Sequence, residues 1–140
     1  MGRGVFVLRD QYERISWTLA DRGLYVLRHK SGGTFPNGHS HPGLEVMIVH
    51  KGLVLFETSN REHLIASGEV VFTEGSRFHR ARPLGPAYYR TVIHFTEDFL
   101  HRDILATFES LVRNGEGVAR GRLGPDGLRR CFWAANELLG

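Results

Sequence analysis

Three histidines and one glutamate form the most informative set of residues in the chain. His39 and His41 are separated by one residue, Glu45 follows, and His79 lies further along the chain. Neutral imidazole and carboxylate groups are ligands that zinc, nickel, iron, manganese and copper accept. In an extended segment alternate side chains share one face, so His39 and His41 would point the same way. We therefore predict an open mononuclear site for a divalent transition metal (Zn, Ni, Fe, Mn or Cu), with His39, His41, Glu45 and His79 as ligands.

Three further residues are predicted to contact a small molecule bound near this site: Met47, Arg90 and His94. Met47 continues the parity of Glu45 along one predicted strand, and Arg90 and His94 share a parity on another. Ordinary structural roles compete with this interpretation. For Met47 and for Tyr88, packing in the core is the simpler assignment.

The elements that would position these residues are short strands separated by glycine-marked turns. Residues 44–50 are apolar on both faces, which is typical of a strand that is covered on both sides. Lys51 and Gly52 predict a tight hairpin turn into the next strand. Closely spaced strands with such turns indicate a β-sandwich or barrel. The predicted strands cover residues 15–19, 24–29, 44–50, 53–58, 63–66, 69–73, a segment with Phe78 and His79, and residues 87–95.

The predicted metal ligands lie within a segment that resembles the first motif of the cupin superfamily, G-x5-H-x-H-x3-E-x6-G. The chain matches this motif at every defined position, with Gly33, His39, His41, Glu45 and Gly52. The resemblance implies a jelly-roll-like cupin β-barrel.

The second cupin motif, G-x5-P-x-G-x2-H-x3-N, is matched in part. Gly68 and His79 are in register, but Glu74, Ser76 and Pro83 stand where the motif has proline, glycine and asparagine. Together the two motifs imply that all four cupin metal-ligand positions carry ligand-competent residues.

After Phe95 the apolar period changes to that of helices. Thr96 is predicted to cap a first helix that ends at Asn114 and Gly115. Residues 116–124 read as a glycine- and arginine-rich connector, and Pro125 suits the first turn of a second helix with one apolar stripe. We predict a cupin barrel over residues 1–95 and a helical segment over residues 96–140 that packs on the barrel and mediates dimerisation.

The run YYRTVIHFTEDFL, together with the helical segments after it, resembles the N-terminal effector-binding cupin of AraC-type transcriptional regulators. This resemblance implies a small-molecule sensor and a homodimer formed through the C-terminal helices. It also implies that DNA is bound by a helix-turn-helix domain that this chain lacks. AraC-type cupins often have no functional metal site, so the competing interpretation is that the four predicted ligands only form hydrogen bonds.

Length and composition fit one water-soluble domain. The chain has 140 residues, 41% of them hydrophobic, and no run near the ~20 apolar residues of a membrane helix. It has no signal-peptide pattern and a single cysteine, Cys131, so we expect a cytoplasmic protein. The net charge of +3 comes from scattered arginines without a dense basic block, which argues against direct DNA binding.

Two other functions use the same fold. A metal-dependent cupin enzyme (dioxygenase, isomerase or decarboxylase) would use the metal held by the four predicted ligands as a Lewis acid. The sequence offers no evident acid–base pair around that metal, and such an enzyme does not need the helical tail, so we expect a regulator and no enzymatic activity. A storage or structural cupin without site chemistry is the third interpretation.

Overall fold

The computed structural model describes residues 23–30, 43–127 and 129–130. The predicted ligands His39 and His41 lie outside these residues, as do the predicted strand over residues 15–19 and Cys131. Most of the second predicted helix also lies outside them.

The described part of the chain is mainly β, as predicted, and its strands form two antiparallel sheets. A five-stranded sheet has the order β1-β7-β2-β5-β8, and a three-stranded sheet has the order β4-β3-β6. No hydrogen-bonded strand pair joins the two sheets within the described residues, so closure into a barrel stays a prediction. The strands are β1 Leu24–Lys30, β2 Leu44–Lys51, β3 Leu53–Thr58, β4 Glu62–Ala66, β5 Glu69–Glu74, β6 His79–Pro83, β7 Tyr89–Phe95 and β8 Val118–Arg122.

The predicted turn at Gly52 is present, but it does not make a hairpin. Gly52 has a φ of 88°, and a Cβ at this position would collide with the carbonyl oxygen of Ala87. The strands on either side belong to different sheets, because β2 pairs with β5 and β7 while β3 pairs with β4 and β6. Gly52 therefore carries the chain from one sheet to the other.

Strand β2 is buried on both faces, as its sequence predicted. Its inner face, with Met47 and Val49, packs in the core between the two sheets. Its outer face packs under helix α1, which spans Arg102–Asn114. The inner core contains Met47, Val49, Val54, Phe56, Ile65, Val71, Ala81, Tyr88, Val92 and Val118, and the outer core contains Leu44, Phe95, Phe108 and Val112.

The start of the first helix differs from the prediction. Thr96 makes no side-chain capping bond and precedes a single 3-10 turn, Glu97–Phe99. The helix begins at Arg102, where His101 is the N-cap and its Nδ1 accepts a hydrogen bond from the Asp103 amide at 3.3 Å. It ends at Asn114 with Gly115 as the C-cap, as predicted.

The connector expected over residues 116–124 is in fact a strand. β8 pairs antiparallel with β5, with Val118 opposite Thr73. The hydroxyl of Thr73 donates to the carbonyl of Gly117 at 3.0 Å, and Arg120 donates to Glu69 at 2.8 Å. The prediction was wrong because these partners come from β5, far away in sequence.

The second helix begins where it was predicted. Residues 125–127 and 129–130 are helical, and Pro125 is the first of them. Within the residues that the structure describes, no helix combines the length and apolar character that crossing a bilayer requires.

Candidate functional site

Glu45 and His79 meet between the two sheets. Glu45 lies at the start of β2 and His79 at the start of β6, and they are 4% and 2% exposed. Nε2 of His79 is 3.1 Å from Oε1 of Glu45. The His79 ring also stacks on Phe56, with the ring centroids 5.8 Å apart. The structure thus brings together two of the four predicted metal ligands from separate sheets.

The surroundings of His79 define how its ring is oriented. Nδ1 lies 2.7 Å from the carbonyl oxygen of Arg77, which can only accept, so Nδ1 carries a hydrogen and Nε2 faces Glu45. Burial acts to lower the pKa of His79, but the charge and hydrogen bond of Glu45, together with the Arg77 carbonyl, outweigh it. The pKa of His79 is therefore raised above its ordinary value.

His94 is the second imidazole beside Glu45. It lies directly opposite Glu45 in the pairing of β2 with β7, and its Nδ1 is 3.4 Å from Oε1 of Glu45. His94 is 1% exposed, and its ring centroid is 6.0 Å from that of Tyr25. One oxygen of the Glu45 carboxylate is therefore shared between two buried imidazoles.

Arg90 is buried further along the same face of β7. It is 2% exposed and lies opposite Val49 of β2. Its Nη1 donates to Sδ of Met47 at 3.4 Å, which is a weak acceptor. Within the described residues, its Nε and Nη2 have no hydrogen-bond partner. Burial lowers the pKa of Arg90, and Tyr88 and Glu45 oppose that effect.

Tyr88 packs in the core between the sheets, which was the simpler assignment from the sequence. It is 3% exposed, and its hydroxyl lies near Arg90 without meeting the geometry of a hydrogen bond, nor does it have another partner among the described residues. Burial raises the pKa of the Tyr88 hydroxyl, so it remains a donor. The available signal was parity: Tyr88, Arg90 and His94 fall on one face of an extended segment.

The sequence model of the family described as "AraC-like ligand binding domain" matches residues 24–138. The chain belongs to this family. No curated protein sequence matches the chain.

Solved structures similar to this AraC-like domain include ToxT from Vibrio cholerae. Apo ToxT matches with a TM-score of 0.58 and 11% identity over 82% of this chain and 47% of that one. ToxT bound to (E)-4-(8-methylnaphthalen-1-yl)but-3-enoic acid matches with a TM-score of 0.58 and 13% identity, with the same coverage of 82% and 47%. A cupin-2 domain protein from Shewanella frigidimarina matches at 0.46 and 19% identity, over 53% of this chain and 72% of that one. This chain spans about half the length of ToxT.

Two of the predicted metal ligands in this AraC-like domain fit that role. Glu45 presents a buried carboxylate oxygen, and the Arg77 carbonyl orients His79 as second-sphere partners orient metal-bound imidazoles. Among the described residues, no group of three or more His, Cys, Asp or Glu side chains is arranged to hold a metal ion. A complete set depends on His39 and His41, which lie outside the described residues, so the metal site stays a prediction.

Three arginines on the surface have carboxylate partners. Arg80 donates two hydrogen bonds to the carboxylate of Glu57, from Nε to Oε1 at 3.0 Å and from Nη2 to Oε2 at 3.1 Å. Arg82 donates to the same carboxylate at 2.8 Å, and Arg77 donates to Glu74 at 3.0 Å. These three guanidinium groups are therefore engaged at the surface and do not face the space between the sheets.

Proposed function

We propose that this AraC-like domain senses a small-molecule effector between its two sheets and controls a helix-turn-helix DNA-binding domain outside this chain. The observation that carries the proposal is the row of buried polar side chains on the inner face of β7, with Arg90 and His94 in it. Burying polar and charged groups costs folding free energy, so a purely structural domain gains little from such a row. ToxT, a structural neighbour, has been solved with a bound acid, which supports a small-molecule effector for this domain.

The fold offers a physical route from effector to helix. β2 and β7 carry the buried polar row on their inner faces, and on their outer faces Leu44 and Phe95 pack against Phe108 of α1. A ligand that shifts these two strands would change the position of α1 on the sheet. It transmits a signal only if it binds one arrangement of strands and helix more tightly than the other.

Homodimerisation through the C-terminal helices is part of this proposal. An apolar groove of about 400 Å³ lies beside α1, and its lining includes Phe72, Phe108 and the exposed side chains of Ile104 and Leu111. Exposed apolar surface of this kind supports association with a second copy. A dimer would allow the effector to set the spacing of two DNA-binding domains.

A metal is an optional element of the sensor. His39, His41, Glu45 and His79 would hold a divalent transition metal, which would supply a Lewis acid for an oxygen atom of the effector. Arg90, Tyr88 and Met47 would then contact the remainder of the effector.

The alternative function is a metal-dependent cupin enzyme, such as a dioxygenase, isomerase or decarboxylase. The buried Glu45 and His79 support it, since a carboxylate and an imidazole are ligands that such a metal accepts. Substrate turnover by the metal-loaded chain that is lost in Glu45→Ala would favour the enzyme over the sensor.

The sensor is tested by a ligand screen with two readouts. Small acids, sugars and aromatic compounds are first screened for those that raise the unfolding temperature of the chain. Each such ligand is then examined by hydrogen exchange, and we expect slower exchange in β7 together with changed exchange in α1. A library without any stabilising ligand, or ligands that leave the exchange of α1 unchanged, would contradict the proposed sensor.

A further inference from the structure

We propose that the effector is a carboxylate, held by the Nε/Nη2 edge of Arg90 with the Tyr88 hydroxyl as a third donor. The proposal rests on the sensing function above and names the chemical class of its ligand. It is carried by donor groups that are buried between the sheets and have no acceptor among the residues that the structure describes.

Arg90 and Tyr88 have hydrogen-bonding capacity that the described residues do not satisfy. Nε and Nη2 of Arg90 and the hydroxyl of Tyr88 are fully buried and have no hydrogen-bond partner within the described part of the chain. Buried polar groups in proteins nearly always have a partner, because an unpaired one loses its bonds to water without replacement. An acceptor-only group bound beside Arg90 and Tyr88 would supply the missing partner.

One edge of the Arg90 guanidinium has no partner among the described residues. Nη1 of Arg90 is engaged by Met47, which leaves the side formed by Nε and Nη2. Arg80 of the same chain uses this side, Nε and Nη2 together, to grip the carboxylate of Glu57 at 3.0 and 3.1 Å. Two parallel N–H donors match the two oxygens of a carboxylate. The open edge of Arg90 therefore has the shape that already binds a carboxylate elsewhere in this fold.

The positive charge of Arg90 also favours an anionic ligand. Arg90 stays protonated at any physiological pH, and it forms no ion pair with a carboxylate of the described residues. Oε1 of Glu45 faces His79 and His94 instead, at 3.1 and 3.4 Å. A guanidinium that is 2% exposed and lacks a paired anion is costly, and a bound anion removes that cost.

The surroundings of Arg90 indicate what the carboxylate is attached to. Arg90 lies opposite Val49 of β2, and Val92 follows it on the same face of β7. Both valines are buried in the core between the sheets. The ligand that these contacts favour is an organic acid with an apolar body, in preference to a sugar or a free inorganic ion.

The first experiment compares acids with their neutral counterparts. Sodium octanoate, sodium benzoate, sodium acetate, octanamide, benzamide and inorganic phosphate are titrated into the 140-residue chain by calorimetry. The side-chain Nε–H resonance of Arg90 is followed in the nitrogen-15 spectrum and is assigned by its loss in Arg90→Gln. We expect at least one organic acid to shift this resonance and to bind roughly 10- to 100-fold more tightly than its amide.

The second experiment uses matched variants. Arg90→Gln should weaken binding of the acid roughly 10- to 100-fold. Arg90→Lys keeps the charge but lacks the two parallel N–H donors, so it should restore part of the affinity. Tyr88→Phe should weaken it by a smaller factor. Arg80→Gln removes a surface guanidinium that donates two hydrogen bonds to a carboxylate, and it should leave the affinity for the acid unchanged. Circular dichroism of each variant verifies that it is folded.

The outcomes separate this inference from the proposed function. An amide that binds as tightly as its acid would overturn the proposal of a carboxylate effector and leave the proposed sensor intact. The same holds for an acid whose affinity is unchanged in folded Arg90→Gln and Arg90→Lys. Phosphate that binds more tightly than every organic acid, or an Arg90 resonance that no acid moves, also overturns it. The sensor itself fails if neutral compounds and acids alike do not bind, or if the ligands that bind leave the hydrogen exchange of α1 unchanged.

Discussion

Glu45 and His79 lie in different sheets, yet Oε1 of Glu45 and Nε2 of His79 are 3.1 Å apart. Both side chains are nearly inaccessible to solvent. This contact joins the two sheets and connects two of the predicted metal ligands. It is therefore both a structural link and the core of the candidate site.

Removing the carboxylate of this link is expected to destabilise the chain. In Glu45→Ala the imidazoles of His79 and His94 lose the anion that they share, and we expect a loss of about 3 kcal/mol in the free energy of unfolding. Urea denaturation in the presence of a chelator measures this loss. Glu57→Ala, which removes a carboxylate held by arginines near the surface, is the control and should have a much smaller effect. Equal losses in the two variants would contradict the role assigned to Glu45.

The contact with Glu45 also predicts a pH dependence. The pKa of His79 is raised above its ordinary value of 6.5, so the folded chain holds a proton that the unfolded chain releases. The stabilisation is complete below a pH of about 6.5 and is lost as the pH rises through the raised pKa. We expect the difference in free energy of unfolding between wild type and His79→Gln to shrink as the pH increases, in the presence of a chelator.

His63 is the control for this dependence. Burial, with Arg120 and Arg61 adding to it, lowers the pKa of His63. Its contribution is therefore complete above the ordinary pKa and is lost as the pH falls. His63→Gln and His79→Gln should change the pH profile in opposite directions. A wild-type advantage over His79→Gln that does not vary with pH would count against the ion pair.

Metal content separates the predicted ligands from other histidines. We expect His41→Ala and Glu45→Ala to lower the amount of divalent transition metal bound per chain, and His63→Ala to leave it unchanged, because His63 lies outside the ligand set. Elemental analysis after loading and dialysis makes the measurement. Equal metal loss in His41→Ala and His63→Ala would refute the assigned site.

The packing of α1 on the outer sheet face rests on an aromatic cluster. Phe108 is 6% exposed and meets Phe72 and Phe95 edge to face, with ring centroids 5.5 and 5.7 Å away. Phe108→Ala should cost about 3–5 kcal/mol in the free energy of unfolding. Ile104→Ala on the same helix is 58% exposed and should cost less than about 1 kcal/mol. Similar urea midpoints of unfolding for Phe108→Ala and Ile104→Ala would show that α1 does not pack on the sheet as described.

Much of the fold was readable from local patterns. The two-sided apolar character of β2 predicted that it is covered on both faces, and a helix and a second sheet cover it. β8 was missed because its residues, rich in glycine and arginine, become a strand only through the partners that β5 provides. The 3-10 turn before α1 was missed because Thr96 has the chemistry of a helix cap but not its hydrogen bond.

The sequence by itself determined which residue types are available for chemistry, because motif spacing and strand parity are local properties of the chain. It identified Glu45 and His79, and it put Arg90 and His94 on one face. Only the tertiary structure decided that His94 shares Glu45 with His79, and that the open edge of Arg90 is buried beside Tyr88. The contact of Glu45 with His79 depends on how the two sheets pack face to face, and its contact with His94 depends on the pairing of β2 with β7. The burial of Arg90 and Tyr88 depends on the core between the sheets. Neither the strand pairing nor the packing is a property of neighbouring residues in the chain.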